Sequence, residues 1–351
     1  MSVIWNVCKD PGGTNGVLAV ADELAKMGHK SLLIPNGKAL ELLPKMDKEF
    51  FTLEQTLAIE PEPDALVTSM CSEGGMGRNL VPLMGLAGIP VIALQDFWGA
   101  RLWTEWADKK FRPDHICVND EIGANIVLKA WPDFDRSMIE ITGFPAMDKY
   151  AGFDVKSTSS RVRSALGLTS DKPIIFYAGQ IEREGELINE VVMALNEINA
   201  DIYFVPRSHP RMKNNAPTEV PKWEQALASF TGGTLVDSSA CDTPSVTAAA
   251  DLIISGFSTV NVEAANLGKD NISVLYPEIG MQLFKAELPY LDDFPLVQLG
   301  CSAKATNRRE LRSLIKESLA NKLGLREAQE KNFRPDGKNA KRAAEFITSI
   351  L

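Results

Sequence analysis

Several signatures are missing from this sequence, and each absence removes a class of function. Histidine is scarce: only His29, His115 and His209 occur in 351 residues, far apart, so their spacing builds no metal site. The five cysteines (Cys8, Cys71, Cys117, Cys241, Cys301) are scattered, odd in number and form no CxxC pair. They read as reduced, mostly buried thiols of a cytoplasmic protein, not as a disulfide framework. No apolar run reaches the length of about 18 residues that a transmembrane helix needs. The run Met1 to Cys8 meets Lys9-Asp10-Pro11 at once and lacks the basic start and long apolar stretch of a secretory signal. A Walker A loop, a Gly-x-Ser-x-Gly elbow and a full Gly-x-Gly-x-x-Gly fingerprint are absent. Positive charge is in deficit, with 37 Lys and Arg against 46 Asp and Glu and a net charge of -9. That balance argues against a nucleic-acid-wrapping surface and leaves room for a local basic pocket.

What is present is a long, ordinary globular composition with 45% hydrophobic and 24% charged residues. At roughly 150 residues per domain the length implies two domains. The hydrophobic pattern alternates between strands and helices. A strand over 3–8 leads through the turn Asp10-Pro11-Gly12-Gly13 to a helix capped by Thr14 or Asn15 and running to about Lys26. Gly28-His29 closes that helix and a strand follows over 31–34, which makes a βαβ unit and implies a parallel sheet. Further strands are expected over 65–68, 91–94, 116–118 and 139–142, with helices over 76–86 and 121–129. The stretch 146–160 has weak periodicity and many polar residues, and the domain boundary is placed there. A second series follows, with strands over 173–177, 202–206, 235–237, 252–255 and 272–275. Its helices are expected over 160–166, 186–198, 244–250 (Thr243 as cap, Pro244 first) and 259–267. Three helices, over 308–319, 325–332 and 339–350, finish the chain.

Candidate sites gather at predicted strand ends. Ser255-Gly256-Phe257-Ser258-Thr259 follows an apolar strand and opens a helix, whose free N–H groups and positive dipole end suit a phosphate. Ser258 and Thr259 add hydroxyls, and Glu263 lies one turn further in, where a carboxylate can accept from ribose hydroxyls. His209 ends a strand and could bind a phosphate oxygen or act as an acid, with Arg207 as the natural phosphate partner. Gly12 and Gly13 let backbone approach a ligand closely. Asp96, in Gln95-Asp96-Phe97-Trp98, could deprotonate an acceptor hydroxyl or simply cap the next segment. Phe97, Trp98, Trp103 and Trp106 could stack on a sugar, or form core. The Gly-rich turn Ser72 to Arg78 could close over a substrate, or be a plain loop. Each of these residues also has an ordinary structural reading as a cap, a turn or a solvated loop.

The segment Ser255 to Lys269 resembles the nucleotide-binding stretch of the GT-B superfamily, with its Gly/Ser turn, Thr, Glu and closing Gly-Lys. That superfamily includes nucleotide-sugar glycosyltransferases, UDP-N-acetylglucosamine 2-epimerases and CDP-glycerol glycerophosphotransferases. Arg207-Ser208-His209-Pro210 resembles the Arg-x-His-Pro element of the polymer-forming transferases. The stretch Phe333 to Arg342 resembles the Asp-Gly-x-Ala-x-x-Arg segment before their last helix. Asp10-Pro11-Gly12-Gly13 with Gly28-His29 resembles their opening βαβ unit. The resemblance implies an α/β protein of two Rossmann-like domains facing a cleft. An acceptor-side domain is expected over 1–150, a nucleotide-binding domain over 151–335, and a helix over 336–351 returning to the first. It implies a metal-independent glycosyltransferase using a nucleotide-diphosphate sugar as substrate, with no cofactor, in polysaccharide or glycoconjugate synthesis. Asp96 and His209 would be catalytic. Gly12, Gly13, Gln180, Arg183, Arg207, Ser258, Thr259 and Glu263 would bind nucleotide. The alternatives are an epimerase, a CDP-glycerol glycerophosphotransferase and a non-catalytic nucleotide-sugar binder. The His-Arg-Arg-Glu-Asn type stretch of the epimerases is absent. The expected partners are the donor and a sugar or lipid-linked acceptor, with at most peripheral contact at the inner membrane face.

Overall fold

A strand covered by helices on both faces of its sheet must be apolar on both, so its sequence reads as a short continuous hydrophobic run. In the computed structural model, which describes residues 1–70, 75–99, 101–169, 171–198, 200–333 and 336–351, such runs form two sheets. The chain divides into two compact units, residues 1–151 with 336–351 (unit 1) and residues 152–335 (unit 2).

Unit 1 holds β1 (Val3–Cys8), β2 (Lys30–Pro35), β3 (Ala65–Ser69), β4 (Val91–Leu94), β5 (His115–Val118) and β6 (Ile139–Ile141). They form one parallel sheet in the order β2-β1-β3-β4-β5-β6. The order reverses between β1 and β3. At such a reversal the connections leave in opposite directions and open a crevice outside the carboxyl ends of the strands. Unit 2 holds β7 (Ile174–Ala178), β8 (Ile202–Arg207), β9 (Gly233–Leu235), β10 (Leu252–Ser255), β11 (Asp270–Val274) and β12 (Ala303–Ala305). Its parallel sheet runs β12-β11-β10-β7-β8-β9 and reverses between β7 and β10.

The 339–350 helix belongs to the core of unit 1. Its Ala340, Ala343, Ala344 and Ile347 join Val17, Val20 and Leu24 of the 11–26 helix in one buried cluster with Ile4 and Val67. Burial of each larger aliphatic side chain contributes roughly 1.5–3 kcal/mol. The helix start is held by Asp148, whose carboxylate accepts from the Asn339 amide at 3.1 Å, its side-chain Nδ2 at 2.7 Å and the Ala340 amide at 2.7 Å. Gly143, at φ +86°, passes so close that a β-carbon there would stand 2.0 Å from Asn339 Oδ1.

Some expectations needed correction. The first helix begins at Pro11, so Gly12 and Gly13 form its first turn and not a preceding loop; neither Thr14 nor Asn15 is its cap. Proline tolerates that place because its missing N–H would have no partner there. The helix after β9 is capped by Asp242, whose carboxylate accepts from the Ser245 amide at 2.7 Å, with Thr243 the first helical residue. Cys8, Cys117, Cys241 and Cys301 are free thiols, and Cys71 lies outside the described residues. Among the described residues no helix is long and apolar enough to cross a membrane.

Candidate functional site

In unit 2 the strand register brings the ends of β10, β7 and β8 level, with Ser255 beside Ala178 and Ala178 beside Arg207. The residues just beyond them therefore share one edge at the β7/β10 reversal. Gln180 bridges that reversal, its Nε2 donating to the Phe257 carbonyl at 2.8 Å. Gly256 makes the bridge possible, since a β-carbon there would lie 2.9 Å from the Gln180 side-chain amide. Beneath it, Ser255 Oγ donates to the Ala178 carbonyl at 2.6 Å. Ser258 is the N-cap of the Thr259–Asn266 helix, its Oγ accepting from the Val260 amide at 3.2 Å. Thr259, the first helical residue, is exposed, and Glu263 is half-buried one turn on.

His209 follows β8. Its Nδ1 accepts from the Arg211 amide at 3.0 Å, so the neutral ring carries its proton on Nε2. That leaves Nε2 a hydrogen-bond donor, the form that can bind a phosphate oxygen or protonate a leaving group.

The Gln180 loop is fixed from below by Glu184, a fully buried carboxyl missed by the sequence reading. It accepts from Tyr177 OH at 2.6 Å and from the Gln180 amide at 2.6 Å. Burial pushes its carboxyl up to about 8, against the pull of those two hydrogen bonds; the nearby Glu219 charge adds to the rise.

The two predicted phosphate arginines are employed otherwise. Arg207 donates to Thr243 Oγ1 at 2.8 Å, to the Ser238 carbonyl and hydroxyl at 2.6 and 2.8 Å, and to the Cys241 carbonyl at 2.8 Å. Its guanidinium pins the 238–243 loop. Arg183, in the left-handed region at φ +52°, donates to both Glu186 oxygens, to the Glu278 carbonyl and to Gln282 Oε1. It ties two loops of unit 2 together. In both cases a five-donor fork finds its acceptors within the protein.

In unit 1 a recess lies at the carboxyl edge, beside the β1/β3 reversal. It encloses an empty volume of about 220 Å³, solvent at its mouth included, and is lined by residues that include Gly12, Gly13, Ser69, Gln95 and Asp96. The two glycines face side chains of their own unit and not an open phosphate cradle. A β-carbon at Gly12 would stand 2.7 Å from an Asp96 carboxylate oxygen, and one at Gly13 would stand 2.2 Å from Ser69 Oγ. Asp96 is half-buried as a residue, and its carboxyl group is enclosed more deeply. Desolvation, with a smaller push from the Asp10 charge, raises that carboxyl to about 6. A carboxyl poised near neutrality suits a proton acceptor. Ser69 and Gln95, 2% and 4% exposed, keep Ser69 Oγ and Gln95 Nε2 buried without hydrogen-bond partners among the described residues.

The aromatic group after β4 is mainly core. Trp98 and Trp106 are fully buried, and Trp98 Nε1 donates to Asp120 at 2.8 Å. Asp133-Phe134-Asp135, a carboxylate pair passed over in the sequence, serves structure: Asp133 pairs with Lys109 at 2.6 Å and Arg112 at 2.9 Å, and Asp135 caps the turn at Ser137. Residues 72–74 of the Gly-rich turn, and 334–335 before the 339–350 helix, lie outside the described residues. No group of three or more potential metal ligands occurs among the described residues.

Residues 96–276, just over half of the chain, match the CDP-Glycerol:Poly(glycerophosphate) glycerophosphotransferase family. The match opens on Asp96 and includes Gln180, Arg207, His209 and Ser258 to Glu263. No curated protein matches the chain in sequence. Solved structures with the same fold include the Neisseria meningitidis UDP-GlcNAc 2-epimerase bound to UDP-GlcNAc, at 15% identity and a TM-score of 0.69, covering 99% of this chain and 100% of that one. The Methanocaldococcus jannaschii UDP-GlcNAc 2-epimerase is similar at 15% identity and a TM-score of 0.66, covering 99% and 100%. The wall teichoic acid polymerase TagF is similar at 14% identity and a TM-score of 0.60, covering 99% of this chain and 89% of that one. The fold is therefore of the GT-B type.

Proposed function

Because this chain belongs to the CDP-Glycerol:Poly(glycerophosphate) glycerophosphotransferase family, we propose that it is a transferase whose unit 2 binds a nucleoside-diphosphate-linked donor at the β7/β10 reversal. One observation carries this reading. Gln180, the Ser258–Thr259 helix start and a His209 fixed as an Nε2 donor converge on the carboxyl edge of three adjacent strands. Helix-terminal N–H groups, the Thr259 hydroxyl and His209 Nε2 would hold the pyrophosphate without a metal, and Glu263 would accept from ribose hydroxyls. Arg207 would act indirectly, by holding the 238–243 loop. In unit 1, Asp96 would take the proton of an acceptor hydroxyl.

For a CDP-glycerol-like donor, the acceptor oxygen attacks the phosphorus next to glycerol. A new O–P bond forms, the pyrophosphate P–O bond breaks, and the nucleoside monophosphate leaves with the electron pair. For a sugar donor, attack at the anomeric carbon would instead release a nucleoside diphosphate. The family favours the first. The epimerase-like neighbours keep a second reading in play, 2-epimerisation of a UDP-sugar, which leaves the nucleotide attached.

Donor-induced thermal shifts should be followed with CDP-glycerol, UDP-GlcNAc and other nucleotide conjugates on the wild type, Glu263→Ala and His209→Ala. Product analysis then separates the readings, with CMP release, UDP release and an epimerised UDP-sugar as the three signatures. A shift with one donor that both substitutions reduce about tenfold in affinity is expected. Absence of stabilisation by every conjugate would sink the donor site.

A further inference from the structure

We propose that the recess at the β1/β3 reversal is an alcohol site, taking the hydroxyl end of a neutral polyol with Ser69 and Gln95 as positioning residues. The proposal deepens the acceptor side of the function above and rests on that reading for its place in the reaction. Its starting point is two polar groups with nothing to bond. Ser69 Oγ and Gln95 Nε2 are buried, belong to two residues that line the same recess and have no partner among the described residues. A buried polar group left unpaired costs free energy, and natural proteins rarely keep two in one place without an occupant.

The chemistry of the recess selects the occupant. Gln95 Nε2 can only donate, because Gln95 Oε1 already accepts from the Asn119 amide at 3.3 Å. It therefore needs an acceptor oxygen. The Asp96 carboxyl beside Gly12 accepts a proton when ionised. Ser69 Oγ can do either. A cation could not accept from Gln95, and an anion could neither donate to Asp96 nor sit comfortably beside it and Asp10. A hydroxyl does both. The interior space suits one group of about the size of a water molecule or a hydroxyl, not a sugar ring. Leu94, Phe144, Pro145 and Ala146 supply an apolar wall for the attached carbons. Gly13 is part of the design, because any β-carbon there would fall on Ser69 Oγ.

The test is saturation-transfer NMR on the full chain with glycerol as probe, and with ethanolamine and glycerol 3-phosphate as its cationic and anionic counterparts. The wild type, Ser69→Ala and Gln95→Met are compared, each also scored for the thermal shift induced by CDP-glycerol. Ser69→Ala deletes a hydroxyl that has no partner among the described residues, so the protein should stay folded. Each substitution should weaken glycerol binding about five-fold or more and leave the donor-induced shift in place. Both charged counterparts should bind more weakly than glycerol. A glycerol response untouched by both substitutions, no response in the wild type, or tighter binding of a charged counterpart would overturn the proposal. Loss of glycerol response in the variants, with no donor shift even in the wild type, would instead sink the transfer reading and leave the alcohol site standing.

Discussion

Replacing Glu184 by glutamine should change the pH dependence of stability in unit 2, and the change can be worked out in sign and size. Glu184 is fully buried, and burial moves its carboxyl from an ordinary 4.5 up to about 8. Between those values the folded protein holds a proton that the unfolded chain has released. Stability is therefore full below about pH 4.5 and falls as pH rises, until the folded carboxyl ionises near 8. At 1.36 kcal/mol per unit, ionisation costs about 5 kcal/mol, an upper figure because the site can relax. Glutamine cannot ionise, which removes this slope. It also cannot accept from the Gln180 amide through its NH2 group, which costs about 1–3 kcal/mol at every pH. The two stability curves should then cross, with the wild type ahead at pH 5 and Glu184→Gln ahead by about 2 kcal/mol at pH 9. Trp223 is the sole tryptophan between residues 152 and 335. Its ring centroid lies 5.9 Å from that of Tyr177, the hydrogen-bond partner of Glu184. The 19F line of a 5-fluorotryptophan label at that position reports urea unfolding of unit 2. A stability difference between the two proteins that stays constant from pH 5 to pH 9 would refute the reasoning.

Two further predictions concern unit 1. With Asp96 raised to about 6 and acting as the proposed base, the transfer rate should fall tenfold per pH unit below about pH 6; Asp96→Asn should abolish that limb and lose about 100-fold or more in rate. A pH–rate profile of both proteins checks this, and an acid limb surviving in the variant would reassign the base. Asp148→Ala removes three hydrogen bonds from the start of the 339–350 helix and should cost about 2–3 kcal/mol. Amide exchange over residues 339–350 should then speed by about thirty-fold or more, and unchanged protection would show that apolar packing alone holds the helix.

The sequence revealed the strands best where both sheet faces are covered. Val91 to Leu94 is a continuous apolar run and Leu252 to Ile254 is another, closed by Ser255; both are strands. It was weakest where tertiary pairing decides. Ala303-Lys304-Ala305 has no β-branched residue and becomes β12 only because β11 offers it an edge. The Leu53–Ile59 helix is announced by a capping box, Thr52 with Gln55, and not by apolar periodicity. The site divides similarly. The positions of Gln180, His209 and Ser258 were legible, because each follows an apolar run that forms β7, β8 or β10. Ser69 and Gln95 were not legible as a pair: they line one recess only because β3 lies beside β4 and the start of the 11–26 helix borders it. Arg183 and Arg207 misled for the opposite reason, since a guanidinium in a sequence gives no sign of the carbonyls waiting for it in the fold.

The placement of the 339–350 helix has a consequence for how the protein is made. Residues 336–351 leave the ribosome after the whole of unit 2, yet unit 1 needs Ala340, Ala343, Ala344 and Ile347 to close its core. Unit 2 is a continuous stretch of chain and can finish folding during translation, while the apolar strip of Val17, Val20 and Leu24 on unit 1 waits open. The nascent chain thus has a scheduled interval of vulnerability, and the emergence of residues 336–351, not that of the first domain-sized segment, sets when it ends.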